Sequence, residues 1–126
     1  MAGELGLDHA MINEEKLLQW DPDYLFVDEA GLSLVKKDLR EPRFKGLSAV
    51  RSGKVFGLLP YNYYTTNFGT VLADSYYIGK LIYPGAFKDV VPEEEADRIY
   101  DFLVGKPVYS EMEEIFGGFG KIEPNS

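Results

Sequence analysis

Asp21-Pro22-Asp23-Tyr24-Leu25-Phe26-Val27 is the stretch on which the fold turns. A residue that precedes proline is pushed out of the helical region, so Asp21-Pro22 must close any helix to its left. To its right, Tyr24–Val27 is a continuous apolar run rich in β-formers, without the polar alternation of a half-exposed strand. Such a run predicts a strand buried on both faces, which is the signature of a parallel sheet covered by helices.

On the left of this stretch, Asn13 is a good N-cap for a short helix through Glu14, Glu15, Leu17 and Leu18 to Trp20. Residues Leu7–Ile12 read as a short strand or the approach to one. On the right, Asp28–Gly31 reads as a loop and Leu32–Leu39 as a helix. Pro42 and Gly46 then make a turn before a short helix near Leu47–Val50, and Ser52-Gly53 makes another. Val55–Leu59 is the second buried strand. The loop Pro60–Thr66 leads into a helix from about Asn67 to Ile82, with Phe68, Val71, Leu72, Ser75, Tyr76, Gly79 and Ile82 expected on its buried face. Pro84-Gly85 ends it. Pro92, followed by Glu93, Glu94 and Glu95, opens another helix that Gly105 closes. Pro107 opens a last one, ended by Gly117-Gly118. Strands that alternate with helices predict one α/β domain, a three-layer α/β/α lobe with a small, mainly parallel sheet.

Composition narrows the chemistry. The 126 residues suit a single domain, and 45% apolar content is enough for a packed core. With 13 basic and 21 acidic residues the net charge is −8, which opposes a phosphate backbone. The lack of Cys removes thiolate catalysis and Cys-based metal sites, and the lone His9, read as a surface residue, excludes any site needing two imidazoles. The charge is uneven: Lys36–Lys54 carries seven basic and two acidic residues, Glu93–Glu114 eight acidic and two basic. These read first as two solvated helical faces. The 19 uncharged residues between Lys54 and Asp74 are broken by Pro60, Asn62, Thr65, Thr66 and Asn67, so they do not read as a membrane span. The opening MAGELGLDHAMINEE has neither a basic nor an apolar signal region, which implies a cytosolic protein or a piece of a longer precursor.

Pro60–Asn67 (PYNYYTTN) is the most informative stretch for function. Seven of its eight side chains can hydrogen-bond and three offer aromatic faces. It lies where a strand ends and a helix begins, the place where open α/β sheets hold ligands. That lining suits a flat or bulky small molecule, or a hard ferric ion held by phenol oxygens, and it equally suits tyrosines packed on the sheet with wet hydroxyls. Asp28 and Glu29, at the end of the other strand, could serve as an acid–base pair, but helix-capping contacts are the stronger expectation. Glu14 and Glu15 are well-placed surface carboxylates in a first helical turn.

The segments Leu17–Val27 (LLQWDPDYLFV), Leu47–Leu58 (LSAVRSGKVFGL) and Tyr61–Asn67 (YNYYTTN) together resemble the C-terminal lobe of class III periplasmic binding proteins. These are the substrate-binding components of ABC importers for iron complexes, haem and cobalamin, and the resemblance covers about residues 7–120. It implies a non-enzymatic protein with no catalytic residue, no resident cofactor and no metal of its own, located extracytoplasmically in the periplasm or lipid-anchored at the cell surface. It also implies a ligand, an iron chelate, haem or related metal complex, held in a cleft between two lobes. In this chain Tyr61, Asn62, Tyr63, Tyr64, Thr66 and Asn67 would face that cleft, with Asp28 and Glu29 nearby.

The resemblance further implies a partner, the membrane subunits of an ABC permease, docked through Glu15 with Glu14 beside it. Ion pairs of that kind fix orientation and steer encounter more than they add affinity. The N-terminal lobe, the bridging helix and an export signal have no counterpart in this sequence. Residues 1–6 are therefore expected to be an artificial start or the end of the inter-lobe helix, and 123–126 a frayed tail. Half a cleft implies weak ligand binding and self-association through uncovered tyrosines. Two rivals stand beside this reading: an oxyanion (molybdate or tungstate) binder of the same family, and a chelatase-like enzyme, disfavoured by the single histidine.

Overall fold

The structure, a computed structural model, describes residues 14–61 and 67–124. Helix α1 (Glu14–Trp20) ends at the proline stop, and strand β1 (Leu25–Asp28) follows. A 3₁₀ turn at Glu29–Gly31 leads into α2 (Leu32–Leu39), α3 (Pro42–Lys45) and α4 (Ser48–Arg51). Strand β2 (Val55–Leu58) comes next, then the long helices α5 (Phe68–Ile82) and α6 (Pro92–Val104), α7 (Tyr109–Phe116) and strand β3 (Gly120–Lys121). Among the described residues the sheet has the order β1-β2-β3. β1 and β2 run parallel from Leu25↔Val55 to Asp28↔Leu58, and β3 is antiparallel to β2 through Phe56↔Lys121 and Gly57↔Gly120.

The alternation of side chains along β1 and β2 builds two different cores. Val27 and Val55 point to one face, where Leu39, Phe44, Leu47 and Ala49 of the α2–α4 segment close over them with Ile122. Phe26, Phe56 and Leu58 point to the other, beneath Tyr77 and Ile78 of α5. A third cluster, Leu59, Ala73, Ala96, Tyr100 and Tyr109, joins α5, α6 and α7 behind the sheet. Helices thus cover both faces of the sheet, as the apolar runs predict, and the sheet is mixed, one parallel pair and one antiparallel pair among the described residues.

Asp21 shows how a local stop becomes a tertiary tie. Its backbone takes a positive φ of 41°, and its carboxylate accepts from both the Ser48 N–H and the Ser48 hydroxyl at 2.7 Å. The end of α1 is thereby fastened to the start of α4. Those two bonds hold the Asp21 carboxyl below its ordinary range.

Several expectations need correcting. The turn at Pro42 is a short helix with the proline in its first turn, where a missing N–H costs nothing. β1 starts one residue later than the apolar run and includes Asp28. β3 has no pattern of its own: two residues gain their pairing from β2. The face of α5 is the largest difference. Thr70, Ala73, Asp74 and Tyr77 are buried, whereas Phe68 and Leu72 are exposed at 75% and 52%. The cause is the close approach of α6, which selects small residues: a Cβ on Gly69 would lie 2.9 Å from Leu103. Large apolar residues mark a helix's core face only where there is room for them. The expected strand at residues 7–12 and His9 lie outside the described residues. Of the expected frayed tail, the Pro124 carbonyl accepts from Arg40 at 2.6 Å.

Candidate functional site

The carboxyl ends of β1 and β2 lie side by side, and two buried carboxyl groups flank them. At the end of β1, Asp28 turns back on its own chain and its Oδ1 accepts from the Ala30 N–H at 2.9 Å, capping the 3₁₀ turn. The capping role expected of this pair falls to Asp28. Glu29 goes elsewhere. It is only 6% exposed, folded against β2 so that a Cβ on Gly57 would strike its carboxyl group. A Cβ on Gly117 would lie 2.9 Å from its Oε2. Burial pushes the Glu29 carboxyl up to about 7, opposed by a hydrogen bond from the Gly118 N–H and reinforced by Asp28 and Glu113. Its Oε2 has no hydrogen-bond partner among the described residues. The group faces a cavity of about 210 Å³, lined also by Leu32, Gly117, Gly118 and Ile122.

At the end of β2, the tyrosine-rich loop is closed at its base. The Tyr61 carbonyl accepts from the Asn67 backbone N–H at 2.6 Å and from Asn67 Nδ2 at 3.3 Å. Asn67 also supplies the N-cap position of α5. Asn62, Tyr63, Tyr64 and Thr66, the other expected ligand contacts, lie outside the described residues, as does Thr65.

Two pockets flank this base. One, of about 260 Å³, is walled by Leu58, Tyr61, Val71, Asp74, Ser75 and Ile78. The other, of about 420 Å³, includes Pro60, Asn67, Thr70, Tyr100 and Met112. The Thr70 and Tyr100 hydroxyls bond to each other at 2.8 Å in its wall.

Asp74 is the polar feature of the smaller pocket, 4% exposed on the sheet side of α5. Its Oδ1 accepts from the Leu59 N–H at 3.0 Å, which fixes the chain just before the loop. Its Oδ2 has no partner among the described residues. Burial pushes this carboxyl up to about 8, and the negative charges of Asp28 and Glu29 add to the shift. At neutral pH Asp74 is therefore largely protonated, able to present a hydroxyl donor to the pocket.

The structure brings Tyr61 and Asn67 together but puts Glu29 on the other face of the sheet, with α2. Glu14 pairs with Arg43 at 2.5 Å, while Glu15 stands exposed beside it. Asp74 is the residue that sequence reasoning passed over. Its one signal is that it ends the uncharged run, the single acid of a largely apolar helix. Among the described residues no group of three or more His, Asp or Glu side chains is positioned to hold a metal ion. No described helix is long and apolar enough to cross a membrane.

A crystal structure of a periplasmic solute-binding protein from Veillonella parvula DSM 2008 has a similar fold, with a TM-score of 0.54 and 15% sequence identity. The similarity covers 83% of this chain and 33% of that chain. It is a likeness of fold. This chain spans about a third of that protein's length. No family model matches the sequence, and no curated protein does.

Proposed function

We propose that this chain forms one wall of an extracytoplasmic solute-binding cleft, and that the solute is an iron chelate, haem or related metal complex passed to an ABC permease. The observation that carries this reading is the closed base of the tyrosine-rich stretch at the end of β2, where Asn67 bonds the Tyr61 carbonyl and Tyr61 lines a mostly apolar pocket. The fold likeness to a periplasmic solute-binding protein supports it.

In this reading the site grips and does not transform. Aromatic faces of Tyr61, Tyr63 and Tyr64 cover a flat or bulky ligand, and Asn62, Thr66 and Asn67 hydrogen-bond its polar edge. No bond is made or broken, so no residue is assigned a catalytic role. Glu14 is engaged by Arg43, so Glu15 is the carboxylate assigned to permease docking. Charge reversal at Glu15 is expected to reduce uptake with solute affinity unchanged.

Titration of the protein with haem, a ferric siderophore and molybdate tests the assignment. Saturable binding of a metal complex is expected, weakened at least tenfold, about 1.4 kcal/mol, by joint Tyr63→Ala and Tyr64→Ala substitution. An affinity that ignores those tyrosines, or a preference for molybdate, contradicts it.

A further inference from the structure

The Glu29 cavity is distinct from the pockets at Tyr61 and Asn67, and the solute-binding reading does not use it. Its shape follows one carboxyl group. Gly57 and Gly117 both stand where a Cβ would meet the Glu29 carboxylate, and Gly118 donates its N–H to the same group. Gly117 lies beside Oε2, the oxygen that has no partner among the described residues, and forms part of the cavity wall with Gly118 and Gly120. A buried acceptor left unpaired is costly, and its natural complement is a donor that enters from the cavity.

We propose that this cavity is a second binding site, one that takes the primary ammonium group of a small organic cation. Charge supports that choice over a neutral donor. An ionised Glu29 is a stronger acceptor for an ammonium than for a neutral donor, and the charged groups that act on it, Asp28 and Glu113, are both acidic. Lys36, Lys121 and Glu123 also line the cavity. The Lys121 ammonium lies 3.8 Å from the Cβ position of Gly53, a residue before the start of β2, whereas Glu29 lies against Gly57 within the strand. Leu32 and Ile122 offer a short apolar wall for an alkyl chain. A volume of about 210 Å³ accommodates a small amine. An organic ammonium also fits better than a metal ion, since among the described residues no set of three acidic or imidazole ligands is gathered there.

The test uses the 126-residue chain and n-butylammonium, at constant ionic strength, followed through the amide signals of Gly117, Gly118 and Gly120. Saturable shifts are expected at pH 8, where Glu29 is ionised, with affinity at least tenfold weaker at pH 5.5. Glu29→Gln, which keeps the shape but not the charge, is expected to weaken binding at least tenfold at pH 8. Tetramethylammonium, which has no N–H, and potassium are expected to give no saturable shift. Absence of saturation, equal binding by Glu29→Gln, or equal shifts from tetramethylammonium or potassium overturns the proposal. Should Glu29→Gln fail to fold, the carboxyl carbon-13 signal of Glu29 in the unaltered chain decides. Saturating n-butylammonium is expected to lower its pKa by at least one unit, and an unchanged pKa overturns the proposal.

Discussion

The two faces of the sheet share the same two strands and are built on different terms. One is mainly aliphatic: Val27, Leu39, Leu47, Val55 and Ile122, with the single aromatic Phe44, lie beneath the four short helices α1–α4. The other is aromatic: Tyr24, Phe26 and Phe56 stack in sequence, Tyr77 meets Phe56 edge-on, and Phe119 stacks on Tyr77 at 4.6 Å. The aliphatic side carries the basic stretch Lys36–Lys54 on its helices, and the aromatic side the acidic α6–α7 region. Each face nonetheless ends at one buried carboxyl, Glu29 on the first and Asp74 on the second. The surface charge of a layer therefore does not set the environment of its interior. Burial does, and it pushes both carboxyl groups upward.

The comparison can be broken most forcefully in the cores. Leu47 and Leu59 are 2% and 0% exposed, on opposite sides of the sheet. Replacing either by Ala is expected to cost about 2–5 kcal/mol in denaturant unfolding, with a single shared transition in each variant. Separate transitions by different probes would show that the two faces fold independently.

Gly57→Ala comes next, because its new methyl meets the Glu29 carboxyl within β2. A loss of about 1–3 kcal/mol is expected. Combining it with Glu29→Ala should recover part of that loss, and simple additivity would show that the two sites do not touch.

The carboxyl groups sharpen the contrast through pH. Both hold their proton more tightly folded than unfolded, Glu29 to about 7 and Asp74 to about 8. The folded state therefore binds more protons between about pH 4 and pH 8, and stability falls as pH rises through that window. The slope contributed by each group approaches 1.4 kcal/mol per pH unit between its two pKa values. Asp74→Asn keeps the acceptor for Leu59 and is expected to remove the more alkaline part of the fall, as read by urea unfolding at pH 5, 7 and 8. An unaltered profile would mean that Asp74 is solvated.

The smallest effect belongs to Tyr109, whose hydroxyl accepts from the Phe119 N–H at 2.9 Å. Tyr109→Phe leaves that N–H unpaired, and a loss of about 1 kcal/mol is expected in thermal or urea unfolding.

Much of this architecture is legible in the residues, and the failures have a common cause. The proline at position 22, the apolar run before Val27 and the run from Val55 act locally, so their elements appear where sequence places them. Asp28 caps as its type and position suggest. The buried face of α5 is not legible, because the approach of α6 chooses Gly69 and Ala73 over Phe68 and Leu72. β3 is not legible either, since pairing with β2 alone makes it a strand. At the site, the tyrosine loop announces itself by composition. The burial of Glu29 depends on Gly57 and on the Gly117-Gly118 pair, about 60 residues further along the chain. Asp74 is hidden for a similar reason: a lone helical acid gains meaning only when the Leu59 N–H is placed opposite it.

The central claim is that solute is gripped on the aromatic side, at the end of β2. Its most direct test is an amide chemical-shift map of the chain titrated with a gallium siderophore, a diamagnetic counterpart of the ferric complex. Saturable shifts concentrated at Leu58–Tyr61 and Asn67–Ser75 are the predicted result. A map confined to the α1–α4 side, or no saturable shift at any concentration, would contradict it.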